Sequence, residues 1–177
     1  MFFKKRLQSR VLERLEKRAS SIFVPLQNAK KIIFLIESDE DLIENSADFL
    51  IVALEERGIQ WQCVVIDKGG KKSVDFSQKE RFLSLTLKDL NFFGLPKGLS
   101  SIEEFKYEYD ILIDMSDQFD FTSNYLSRFI NAKFKVGRYS NGDDSSYDFI
   151  AKTTDNSSLQ FVKQVIFYLE SIKPAKL

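Results

Sequence analysis

Three apolar runs that each close on a carboxylate constrain the fold of this chain most: "KKIIFLIESD" at 30–39, "IQWQCVVID" at 59–67 and "YDILIDM" at 109–115. In the first, Ile32 to Ile36 is uninterrupted and rich in β-branched side chains, the composition of a strand covered on both faces. Between the first two runs, Ile43, Ala47, Leu50 and Leu54 recur at helical spacing, and Phe49 and Ala53 widen the stripe. Ser38 or Asp39 is expected to cap that helix, Glu40, Asp41 and Glu44 suit the positive end of its dipole, and Gly58 supplies its stop. Strand, helix and strand joined by short turns make a right-handed βαβ unit with parallel strands.

The later elements continue the alternation. "KGGKKSVDFSQKE" reads as a polar loop and "RFLSLTL" as a further strand, after which Thr86 caps a short helical turn that Gly94 and Pro96 end. Ser100 or Ser101 starts another short helix through Phe105, and Phe121 to Ile130 reads as a helix. "AKFKVGRYSNGDDSSYDFIAK" reads as a strand that turns at Asn141-Gly142 and returns through Tyr147 to Ile150, a late β-hairpin. The last helix carries a capping box, Ser157 with Gln160, and a stripe of Leu159, Val162, Ile166 and Leu169. These elements predict an α/β three-layer sandwich around a mostly parallel, Rossmann-like sheet. At 177 residues one core is expected, burying roughly 70% of the unfolded surface. The expected organisation is a basic amphipathic helix at 1–19, a connector at 20–30 and one α/β domain at 31–177.

In the N-terminal helix Phe3, Leu7, Val11 and Leu15 recur every four residues with Leu12 beside them. Lys4, Lys5, Arg6, Arg10, Arg14, Lys17 and Arg18 fill the remaining faces. Such a helix packs on its own domain, lies on an anionic membrane or covers RNA phosphates. The segment is too charged for a signal peptide or a membrane span, so a cytoplasmic location is expected.

Composition excludes several chemistries. The chain has no histidine, which removes Ser-His-Asp and Cys-His nucleophiles and His-ligated zinc. Cys63 is the single cysteine, so no internal disulfide and no Cys-based metal cage can form. Lys plus Arg and Asp plus Glu both total 26, and no net field draws the whole molecule to a polyanion.

The carboxylates at the run ends are the candidate chemistry. Ligands of open parallel sheets sit beyond the carboxyl ends of the strands, where strand order reverses. If the Ile32 and Tyr109 strands flank that point, Glu37 and Asp39 face Asp114, Asp117 and Asp120 across an acidic crevice. Hard cations take oxygen ligands, and magnesium or calcium suits such a cluster; no other cofactor is expected. The same acids also read as caps and strand ends: Asp114 bonding backbone amides, Asp117 or Asp120 capping the next helix. Gly69 and Gly70 beside Lys68, Lys71 and Lys72, and Gly137 beside Lys133, Lys135 and Arg138, read either as anion contacts or as solvated loop and strand ends. The first turn has no glycine, and no phosphate-binding glycine spacing occurs.

"FKYEYDILIDMS" with "YLSRFINAKFKVGRY" resembles the late part of the N-terminal Rossmann-like domain of heptosyltransferase-type glycosyltransferases. That resemblance implies a fold, with Asp114 at a strand end and Gly137-Arg138 after the next strand. A second resemblance spans nearly the whole chain: the basic N-terminal helix, "LTLKDLNFFGLPKG", "YDILIDMS", "INAKFKVGRY", "DFIAKTTDNSS" and "VIFYLESIKP" together look like a family of short bacterial proteins of unknown function. It implies the architecture and no catalytic residue. Three functions stay open. One is a non-catalytic binding or adaptor domain that contacts a protein partner through the basic helix or Phe92-Phe93. Another is a metal- or sugar-phosphate-binding enzyme relic using Glu37, Asp39, Asp114 and Asp117. The third is a membrane- or RNA-associated accessory protein acting through residues 4–18.

Overall fold

A computed structural model describes residues 2–15, 21–70, 73–116, 120–139, 146–155 and 157–172. The buried apolar runs form a six-stranded sheet of β1 (Lys31–Glu37), β2 (Gln60–Asp67), β3 (Phe82–Thr86), β4 (Tyr109–Asp114), β5 (Ala132–Arg138) and β6 (Phe149–Ala151). Every neighbouring pair is parallel and the order is β3-β2-β1-β4-β5-β6. Four helices accompany it: α1 (Phe2–Arg14), α2 (Ile43–Glu55), α3 (Phe121–Phe129) and α4 (Ser158–Ser171). This is the three-layer, Rossmann-like α/β arrangement that the apolar runs predict.

Period-two alternation divides the strands between two cores. Ile32, Phe34 and Ile36 of β1 join Cys63 and Val65 beneath α2 and α4, whose Leu50, Leu54, Phe161 and Val165 are buried there. Ile33 and Leu35 face the other way, with Val64, Ile66 and Leu112, beneath Leu126 of α3 and beneath Leu99 and Phe105 of the β3–β4 crossover. That crossover contains only 3-10 turns, Leu87–Asp89, Leu99–Ser101 and Glu103–Lys106, so the helix expected through Phe105 is broken into two pieces. Thr86 caps the first turn, its hydroxyl and amide both 2.8 Å from Asp89 Oδ2.

The late hairpin does not form. Val136, Gly137 and Arg138 pair in parallel with Phe149, Ile150 and Ala151. The chain doubles back so that Asp148 N donates to Lys135 O, and β6 then runs in the direction of β5. The Asn141-Gly142 signal, which lies outside the described residues, is local, whereas the path of this return carries Tyr147 over Gly137. The start of α2 also differs from expectation. Leu42, at φ 58°, precedes the first helical residue Ile43, and Ser38 spends its hydroxyl on Asp67 Oδ1 at 3.0 Å instead of capping. Phe49 lies outside the buried stripe and is exposed, with Lys163 Nζ 5.6 Å from its ring.

The N-terminal helix α1 packs on α3. Leu12 is its buried residue, Leu7, Val11 and Leu15 are half-buried, and Phe3 at the top of the expected stripe is 73% exposed. Gln8 Nε2 donates to Phe93 O at 2.8 Å and Arg128 Nη1 to Leu12 O at 3.4 Å. Among the described residues no helix is long and apolar enough to cross a membrane.

Candidate functional site

The strand order reverses between β1 and β4, so the fold places the ends of these strands where related sheets hold ligands. Asp114 ends β4 and is 2% exposed. Four donors converge on it: Ser116 N at 3.0 Å, Ser123 Oγ at 2.9 Å, Ser127 Oγ at 3.1 Å and Tyr147 Oη at 2.5 Å. A buried carboxylate with this many donors has its lone pairs engaged by the protein itself. Burial of the phenol and the adjacent Asp114 carboxylate push the Tyr147 hydroxyl well above its usual pKa. The Tyr147 ring also explains Gly137, because a Cβ there would meet Tyr147 Cγ and Cδ2 at 2.5 Å.

Arg138 is 3% exposed and ties three elements together, its Nη1 reaching Glu40 Oε1 at 2.6 Å and Met115 O at 3.1 Å. It thereby fastens the turn after β1 to the end of β4 instead of facing solvent. Beside it, Lys68 Nζ lies 3.0 Å from both Glu37 Oε2 and Asp120 Oδ2. An ammonium group thus stands between two of the carboxylates that the sequence assigns to the crevice. Asp120 is also the N-cap of α3, its Oδ1 accepting Thr122 N at 2.9 Å and Ser123 N at 3.0 Å. Burial pushes the Glu37 carboxyl up to about 7, against the opposing pull of Lys68, and its buried Oε1 has no partner among the described residues. Burial pulls the Lys68 pKa down, but the Asp120 and Glu37 carboxylates outweigh it and the net shift is upward.

The remaining candidates separate. Asp39 packs against Gly70, where an added Cβ would come within 2.9 Å of its own Cβ. Asp117, Lys17 and Arg18 lie outside the described residues. Among the described residues no group of three or more His, Cys, Asp or Glu side chains is placed to hold a metal ion.

A cleft of about 500 Å³ opens next to this network, between α1 and the start of α3. Lys4, Lys5, Gln8, Ser9 and Leu12 line one side, and Asp120 and Phe121 the other. Lys4 Nζ also lies 5.8 Å from the ring of Phe92, which is 82% exposed. Lys4, Lys5, Arg6, Arg10 and Arg14 are all exposed, and no acidic residue occupies the first turn.

A model of a family of unknown function, DUF6913, matches residues 1–172. The chain belongs to DUF6913. No curated protein matches it in sequence. In this DUF6913 chain the family match therefore covers α1 and the α/β domain alike. Reading the sequence located Glu37 and Asp114 but missed Lys68, Ser123, Ser127 and Tyr147 as their partners. Lys68 had a signal, its place directly after the second apolar run; Tyr147, 33 positions from Asp114, had none.

Proposed function

We propose that the protein is a non-catalytic α/β binding domain that engages an acidic protein surface through α1 and the segment 91–95. The observation that carries this reading is the union of two features far apart in sequence. Gln8 bonds Phe93 O and Lys4 lies over Phe92, so the basic helix and the aromatic segment form one exposed surface. Basic side chains steer an acidic partner, and exposed aromatic rings beside them supply the apolar anchor. The engaged state of Asp114 supports a role without chemistry, since its oxygens already accept from four donors.

Site-specific photo-crosslinking in cells tests the reading. A photoreactive residue at Phe92 is expected to yield a discrete protein adduct that Lys4→Glu with Arg10→Glu abolishes. The same residue at Phe167, which is 63% exposed on α4, is expected to give none. Identical adducts at both positions, or adducts indifferent to the charge reversals, would sink it. A second reading has its own observation: Phe3 and Phe92 are both exposed next to lysines, the pairing with which peripheral proteins grip anionic bilayers. Co-sedimentation with phosphatidylglycerol vesicles, lost in Phe3→Ala/Phe92→Ala, would favour it over the protein partner.

A further inference from the structure

The cleft between α1 and the start of α3 shares Lys4 with the surface around Phe92 and has the features of a ligand site. Its volume of about 500 Å³ falls in the range that accommodates small organic molecules. Its apolar lining is Leu12 and Phe121, which are 5% and 6% exposed. Gln8 on the same wall is tied to Phe93 O and fixes the edge of the opening.

The charges lining it decide the sign of the ligand. Asp120, the one acid among the described residues of the wall, is already committed: Oδ1 accepts two backbone amides and Oδ2 pairs with Lys68. Lys4 and Lys5 make no ion pair among the described residues; Lys4 has only the Phe92 ring for company. Lys4 and Lys5 thus line a cleft that also holds Leu12 and Phe121, and the nearby Asp120 carboxylate is neutralised by other groups. At the start of α3 the Thr122 and Ser123 amides are already taken by Asp120.

We propose that this cleft binds a small organic anion with an apolar body, the charged group held by Lys4 and Lys5 and the body resting on Leu12 and Phe121. A carboxylate and a phosphate monoester share that chemistry. The inference goes beyond the contact-surface reading and does not depend on it.

Amide NMR of the full chain, titrated separately with phenyl phosphate, phenylacetate and inorganic phosphate, tests it. Phenyl phosphate or phenylacetate is expected to shift the Gln8, Ser9, Phe121 and Thr122 resonances saturably, at least about tenfold more tightly than inorganic phosphate. The tighter of the two aromatic probes identifies the headgroup. Lys4→Gln/Lys5→Gln is expected to weaken binding by about tenfold or more with the amide spectrum still dispersed. The control Lys152→Gln/Lys163→Gln, which removes two exposed charges elsewhere, is expected to bind as wild type. Absence of saturable shifts at millimolar probe, equal affinity for inorganic phosphate, or unchanged binding by Lys4→Gln/Lys5→Gln would each overturn the proposal.

Discussion

Asp114 and Glu37 stand on neighbouring strands at the same end of the sheet, both largely withdrawn from water, and their surroundings differ in one respect. Asp114 accepts from a backbone amide and three hydroxyls. Glu37, its side chain 12% exposed, has Lys68 on one oxygen and, among the described residues, no partner on the other. Burying a carboxyl costs free energy unless hydrogen bonds offset it, and Asp114 has four donors where the described residues give Glu37 one. Around Asp114 the donors bind β4, α3 and the return before β6 into one knot. Around Glu37 their scarcity leaves a carboxyl that changes charge near neutrality.

Breaking the knot has the largest expected effect. Asp114→Ala strands the hydroxyls of Ser123, Ser127 and Tyr147 and is expected to cost about 4 kcal/mol, read as a lowered denaturation midpoint. A loss under about 1 kcal/mol would mean that the four donors are satisfied without it. Glu37 gives the next effect, through pH. Its folded pKa of about 7 lies above the ordinary glutamate value of 4.5, so the folded state binds more protons between those limits. The stability this group contributes is fully present below pH 4.5 and is lost as pH rises through 7. Between pH 5 and 8 the wild type is therefore expected to lose about 2 kcal/mol relative to Glu37→Gln. Unfolding curves whose difference stays flat over that range would remove the distinction between the two carboxylates. The smallest effect sharpens the comparison: Tyr147→Phe takes one donor of four from Asp114 and is expected to cost about 1 kcal/mol. A much larger loss would make the phenol, and not the serines, the centre of the knot.

The contrast also marks what the residues announce by themselves. Ile32–Ile36 and Tyr109–Asp114 reveal their strands because a run buried on both faces needs no outside information, and the acids at their ends follow from position alone. Asp120 as a cap was legible for the same reason, standing just before an apolar helical stretch. The partners were not legible, since Lys68 reaches Glu37 across 31 positions and Tyr147 reaches Asp114 across 33. The direction of β6 failed for a related reason. A tight-turn dipeptide speaks for two residues, whereas a return that seats Tyr147 against Gly137 is decided by tertiary packing. The expected cap of α2 by Ser38 or Asp39 is not made, and the Ser38 hydroxyl is claimed by Asp67, at the end of a different strand.

The sheet ends in modest borders. β6 spans Phe149–Ala151 and β3 spans Phe82–Thr86, while β1 and β2 between them run seven and eight residues. Short outer strands present few unpaired backbone groups, which limits both edge-to-edge aggregation and the addition of a foreign strand to the sheet. Recognition by this protein therefore falls to side chains on its helices and loops, and a partner that docks as an extra β-strand is the kind this architecture is least prepared to receive.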